Sequence, residues 1–418
     1  MINKLFYKTP ADSSYFFGFH DISPWNNKND HVILHRLAKE NNCLPTVNDV
    51  VDIVSINLLN NKITKIGDSN AWNYQQGSRL MWYPYMDDHV IFNFRDKNNK
   101  LSSKVVNLKG DIVKQFDFTI NSLHPKKPIG ITINYERLSF FWPAYGYANL
   151  NKIGDLPDSK SDGIWMNDFE ASTKKIIITI NEVAEFLKID DKKEQELFLC
   201  HCSFNPTGDK FVFLARYFLS DKSGMLTNML SYCLNTKKIK LLASGKVSHF
   251  DWINDTELLV WMRNSKFAKV IIDNNLTKYQ PVKFMINLLR KYKPKSLYKG
   301  LNDAFYFIST ENDKKIPFLK DKLESDGHQM TSFDSEWMII DEYPDKNKKI
   351  PLHLINLKTH DIKKIYEFNY ETNINDSDLK CDAHPRWSTN DEYIGVDIFE
   401  NNLRSFQILN VKDEKKKF

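Results

Sequence analysis

The chain has 418 residues, 42% of them hydrophobic and 13% aromatic, and its 58 basic and 53 acidic residues leave a net charge of +5. That surplus is spread along the chain apart from the Lys415-Lys416-Lys417 tail, so nucleic-acid binding, which needs a clustered basic stripe, is not expected. Residues 1–8 hold no apolar run of signal-peptide length, no segment approaches the roughly 18 apolar residues of a membrane span, and five irregularly spaced cysteines give no disulfide framework. A reduced, cytoplasmic protein is therefore expected.

In chain order, the sequence repeats one pattern. A first unit, about 15–67, opens on Phe19-His20-Asp21-Ile22-Ser23-Pro24-Trp25 and closes with apolar runs at 52–57 and 63–66 about the turn Asn60-Asn61. A second unit spans about 78–118 and a third about 122–180, followed by a helix-like stretch at 181–188. The fourth, about 198–245, opens on Cys200-His201-Cys202 and carries strand-like runs at 211–217, 229–234 and 240–242. The fifth, about 247–282, opens on Ser248-His249-Phe250-Asp251-Trp252; a second helix-like stretch at 282–292 begins an insertion placed at about 283–326. The sixth, about 327–368, opens on Gly327-His328-Gln329, and the seventh, about 381–413, on Ala383-His384-Pro385-Arg386-Trp387.

Seven short-strand units at a spacing of roughly 40–50 residues predict an all-β fold: a seven-bladed β-propeller with four-stranded blades and short helical insertions, one domain over 1–418. Glycine is scarce, at 14, and Asn, Asp and Lys fill the turns; Asn and Asp tolerate left-handed backbone. The last unit looks one strand short. A strand from residues 4–7 is expected to close the ring beside 405–411, which removes a sheet edge.

His20, His201, His249, His328 and His384 stand at one local place in their units. Residues at equivalent points of blades converge on one face of a propeller, and neutral imidazole ligates divalent metals. A shared polar or metal site is one reading. The other is a hydrogen-bond strut like the Gly-His that opens blades of WD-type propellers, although the Trp-Asp ending of that type is missing here. Asp21, Asp251 and Asp382, beside the histidines, either orient imidazoles or cap turns. Cys200-His201-Cys202 is not expected to form a structural zinc site, because strand alternation turns His201 away from both cysteines and no second pair exists.

The segment Ala71-Trp72-Asn73-Tyr74-Gln75-Gln76-Gly77 is dense in amides and aromatic rings, and Asn134-Tyr135-Glu136-Arg137 and Tyr145-Gly146-Tyr147 follow one unit later. Such groups suit a sugar ring and its carboxylate; a satisfied aromatic core is the alternative.

These segments, together with Phe17-Gly18-Phe19-His20-Asp21, Asp326-Gly327-His328-Gln329 and Cys381-Asp382-Ala383-His384-Pro385-Arg386, resemble a bacterial propeller family similar to the oligogalacturonate lyases, often met among surface-polysaccharide genes. The resemblance spans about residues 15–410. It implies a divalent cation of the Mn2+ type, with Ca2+ or Zn2+ as alternatives, held by His249, His328, His384 and Gln329. It implies an arginine base, for which Arg79, Arg137 and Arg216 stay open, with Tyr147 and His201 as further catalytic candidates. His20, Trp72, Asn73, Gln76, Tyr145 and Arg386 are the expected substrate contacts. The implied reaction is metal-assisted β-elimination from an acidic, uronate-containing oligosaccharide or polysaccharide. Hydrolysis by a carboxylate pair drawn from Asp251, Asp341, Asp382 and Asp397 is an alternative, as is a non-catalytic glycan-binding or scaffold propeller.

Overall fold

The computed structural model describes residues 4–40, 43–148, 153–190, 194–219, 224–263, 279–281, 303–320, 322–323, 325–370 and 377–417. Its strands form seven four-stranded antiparallel sheets, the architecture of a seven-bladed β-propeller, as the repeat predicts. The chain divides into two compact units, Met1–Ile178 with Gly327–Phe418, and Thr179–Asp326.

In the first unit, one sheet runs Ser14–Phe16, His31–Leu37, Val51–Asn57, Lys62–Ser69. The next sheet starts at Met81–Trp82 and a third at Ser122–Leu123. The sixth sheet in chain order comprises Gln329–Thr331, Trp337–Asp341, Lys349–Asn356 and Ile362–Asn369. The middle strands are buried on both faces: all five residues of Trp337–Asp341 are buried, and Tyr393–Glu400 is buried except at its ends. They therefore read as apolar runs without polar alternation, while outermost strands such as Lys62–Ser69 are largely open to solvent. Interlocking rings fill the gaps between sheets. Trp387, fully buried, donates its indole N–H to the Met330 carbonyl at 3.0 Å, which ties the seventh sheet to the sixth.

The seventh sheet closes as expected. Leu5–Lys8 pairs with Leu403–Asn410, which continues through Tyr393–Glu400 to Arg386–Trp387. The turn chemistry is also as read. Asn29, Asn61, Asp88, Asn99, Asp391, Asn401 and Asn402 all hold positive φ, between 50° and 63°.

The second unit holds two sheets. One is Phe198–Phe204, Lys210–Phe218, Met225–Cys233, Lys238–Gly245. The other differs from expectation. Its first strands are Val247–Trp252 and Glu257–Arg263, but Asp303–Ser309 and Lys315–Phe318 complete it, inside the stretch 283–326 read as an insertion. The apolar strand 258–262 needs an apolar partner, and Ala304, Phe305 and Ile308 supply buried side chains against it. Arg263 clamps Asp303 at the open end, at 2.7 and 2.9 Å. Residues 264–278 and the helix-like stretch 282–292 lie outside the described residues.

The helix read at 181–188 is Ile180–Leu187, with a capping box between Thr179 and Glu182 and Lys188 left-handed at its end. A second helix, Tyr135–Phe141, escaped the sequence reading: Asn134 is its N-cap, and its side chain accepts the N–H groups of Glu136 and Arg137. Among the described residues, no helix is long and apolar enough to cross a membrane.

Candidate metal centre

Asp341 organises the site. It ends the buried strand Trp337–Asp341 and is itself buried. One carboxylate oxygen accepts the His328 backbone N–H at 2.6 Å, and the other accepts that of His384 at 3.2 Å. Both oxygens lie 3.0–3.1 Å from His328 Nδ1. An Nδ1–H donated to this carboxylate leaves the imidazole lone pair on Nε2, the arrangement that orients metal-ligating histidines. The approach is close: a Cβ on Gly327 would stand 1.9 Å from the Asp341 carbonyl oxygen, so the residue ahead of His328 must be glycine.

His384 sits at the head of the seventh sheet with φ 42°, a left-handed conformation that costs a non-glycine residue about 1–2 kcal/mol. The Asp341 contact and the Asp397 N–H, donated to the Ala383 carbonyl at 2.9 Å, hold it there. The result is a cluster. Ligand atoms of His328, Asp382 and His384 all lie within 4.8 Å of one another. The two imidazoles meet edge to face, with centroids 4.3 Å apart. His20 adds a third ring, at 5.7 Å from His328 and 6.0 Å from His384, with Nδ1 2.7 Å from the Gln329 carbonyl oxygen. Phe19 packs on both His20 and His384. On the other side, Lys380 Nζ pairs with Asp382 at 3.2 Å and lies 4.4 Å over the ring of Tyr343, which stands edge-on to His328.

Two imidazoles and a carboxylate form a mixed nitrogen–oxygen donor set. It suits a first-row divalent cation of the manganese, iron or zinc kind and fits poorly with Ca2+, which prefers oxygen ligands.

The remaining expected residues fall in different places. Gln329 is buried on the first strand of the sixth sheet and reaches His20 through its carbonyl. His249, His201 and Arg216 belong to the second unit. There His249 Nδ1 lies 3.0 Å from Asp326, and His201 interrupts its strand with φ 54°.

The expected base and sugar contacts are mostly part of the frame. Arg79 is buried, clamps Asp21 through both terminal nitrogens at 3.1 and 3.0 Å, and donates to the Asn121 carbonyl. Arg137 is held by Asp162 at 2.5 Å and by the Pro157 carbonyl. Arg386, fully buried, pairs with Asp397 and donates to the carbonyls of Gly18 and Phe19. The Trp72 indole donates to the Asp49 carbonyl, and Asn73 caps the backbone N–H groups of Gln75 and Gln76 while donating to Gly146. Tyr147 stacks on Tyr135 and accepts from Asn93; burial first, then Tyr135, pushes its pKa well above the ordinary phenol value. The amide-rich segment is therefore mostly buried frame, with the Gln75 amide donating to the Lys380 carbonyl. Tyr145 alone of this group is half-buried, stacked on Trp142 and edge-on to Phe19.

Asp341 and Asp397, offered for a hydrolytic pair, are already engaged as acceptors, Asp397 by the N–H groups of Phe17 and Gly18 and by Arg386. Sequence reasoning offered Asp382 as an orienting or turn-capping residue or as one of a hydrolytic pair, not as a metal ligand, and passed over Lys380 and Tyr343. The Asp382-Ala383-His384 spacing was the one available signal.

No family model and no curated protein matches the sequence. Among solved structures, the chain is similar to an oligogalacturonate lyase from Vibrio parahaemolyticus, with TM-score 0.61 and 13% identity over 97% of this chain and 93% of that one. It is also similar to a β-propeller domain from Myceliophteria thermophila (TM-score 0.49, 11% identity, 98% and 99% covered) and to an oligogalacturonate lyase in complex with manganese (TM-score 0.37, 10% identity, 96% and 91% covered). The likeness to the Vibrio protein shows the fold; the two lower scores add nothing to it.

Proposed function

We propose that this protein is a polysaccharide lyase acting on a uronate-containing oligosaccharide by metal-assisted β-elimination. The observation that carries the reading is the convergence of His328, Asp382 and His384, with Asp341 fixing the His328 ring. The bound cation, of the Mn2+ type, would supply Lewis-acid stabilisation for the charge that develops on the uronate carboxylate. His328, Asp382 and His384 would hold it, with His20 as a neighbouring imidazole and Tyr343 and Tyr145 as aromatic surfaces for the sugar. The C5 proton must pass to a base before the C4 glycosidic oxygen leaves. The buried, paired Arg79 and Arg137 are poorly placed for that step. We assign the protein to the cytoplasm, with an acidic oligosaccharide as partner.

Incubating the full chain and Mn2+ with oligogalacturonate tests this. The expected outcome is ultraviolet absorbance from an unsaturated uronate, lost in His328→Ala. New reducing ends without that absorbance would mean hydrolysis, and neither product would leave a glycan-binding propeller.

A further inference from the structure

Asp382 carries its own cation. Its carboxylate is 9% exposed and sits beside two imidazoles, and the charge that faces it is the Lys380 ammonium, 3.2 Å from Oδ1. Lys380 is held from two more sides. Its Nζ lies over the Tyr343 ring at 4.4 Å, and its carbonyl accepts from Gln75 at 3.2 Å. The ammonium thus stands where it neutralises a metal-ligand carboxylate and covers the face of an exposed aromatic ring at the mouth of the cluster.

A divalent cation on Asp382 cannot leave this arrangement intact. A cation held by Asp382 would share that carboxylate with the Lys380 ammonium. They compete for the same negative charge and repel each other. A side chain that is 28% exposed and has four methylenes has room to turn away. When it does, it uncovers Tyr343 and presents a positive charge beside the metal.

We propose that Lys380 is an exchangeable counter-ion. It pairs with Asp382 in the metal-free site and passes to the carboxylate of the acidic ligand when the metal binds. This inference rests on the metal centre proposed above. It makes Lys380 a positioning residue that couples the two ligands: the metal releases the ammonium, and the acidic sugar gives it a new partner. By linkage each ligand then tightens the other. Loss of Lys380 should strengthen metal binding alone and reduce the coupling to what the metal and the acidic sugar supply directly.

The test is calorimetric titration of Mn2+ into the metal-stripped full chain, for wild type, Lys380→Met and His328→Ala, each with and without galacturonate, and with galactose as the uncharged control. Lys380→Met should bind Mn2+ about twofold to fivefold more tightly than wild type, the range expected of one partly exposed ion pair. Galacturonate should tighten Mn2+ binding by wild type several-fold more than by Lys380→Met, and galactose should act on neither. Lys380→Met should also show the larger rise in melting temperature on adding Mn2+, because its metal-free state leaves Asp382 uncompensated. Circular dichroism confirms folding, and Lys380→Gln, which retains most of the stem, should behave like the methionine variant. Equal or weaker Mn2+ binding by both variants, or a galacturonate effect as large in them as in wild type, overturns the proposal. If His328→Ala binds Mn2+ as wild type does, the metal centre and this inference fall together. If His328→Ala loses Mn2+ while Lys380→Met is unchanged, the inference alone falls.

Discussion

His384 shows at the scale of one residue what the site costs. A histidine at φ 42° is strained, and glycine would relieve it. His384→Gly and His384→Ala should both lose Mn2+ affinity by more than the roughly 10–100-fold expected for an outer partner. They should differ in stability: the glycine variant is expected to be more stable than the alanine variant by about 1 kcal/mol, read from urea unfolding. Equal stabilities would mean that the left-handed backbone costs nothing here. The imidazole was legible in the sequence because it recurs ahead of a strand, and so was its neighbour His328. Its strain was not, since nothing in Ala383-His384-Pro385 requires positive φ; the Asp341 carboxylate, 43 positions earlier in sequence, imposes it. Lys380 was invisible for the same reason. An ammonium over a ring and against a carboxylate is a tertiary arrangement, and on paper Lys380 is one of many lysines.

Closure of the seventh sheet was legible at the scale of elements, because a four-strand period with three strands present leaves one to be found. Leu5–Lys8 supplies it, and a buried carboxylate pins it down. Glu414 is 5% exposed and faces Lys4 at 3.4 Å, Lys363 at 3.0 Å and Lys417 at 2.7 Å; Lys4 also donates to the Ile365 carbonyl. Burial pushes the Glu414 pKa up, but hydrogen bonds from Lys417 and Lys363 and the charges of Lys4 and Lys363 outweigh it and bring it from 4.5 to about 2. A carboxyl whose folded pKa lies below its unfolded one stabilises the fold above about pH 4.5, and that contribution fades as the pH falls through about 2. Glu414→Gln does not titrate. The stability gap between wild type and Glu414→Gln should therefore be constant at neutral pH and narrow steadily from about pH 4.5 downward, as measured by thermal or urea unfolding. A gap independent of pH would show that the three lysines do not hold the carboxylate ionised. The fifth sheet was harder to read, because 39 residues separate its third strand from the end of its second. Local patterning cannot tell an insertion inside a blade from one between blades.

For the whole molecule, the seven-fold repeat predicted the fold, while the candidate metal site draws on two of the repeats, the sixth and the seventh. The sequence grouped His249 with His328 and His384 because all three precede strands in the same way. Both His328 and His249 set Nδ1 against a carboxylate, Asp341 and Asp326 respectively. His328 and His384 share the Asp341 carboxylate, whereas His249 belongs to the other unit, where its Nδ1 lies against Asp326, itself 2.5 Å from the Ser248 hydroxyl. Three donor residues for a cation, His328, Asp382 and His384, come from the first unit. His249→Ala decides whether the repeated imidazoles act together: a loss of Mn2+ affinity within about threefold, the scale of a weak surface interaction, keeps the ligand set to His328, Asp382 and His384. Asp382→Asn and His384→Ala should each weaken it far more, since each removes a ligand atom. All three can be compared in one set of titrations. A tenfold or greater loss in His249→Ala would return that imidazole to the ligand set, and the repeated histidines would then act together as their spacing in the sequence implied.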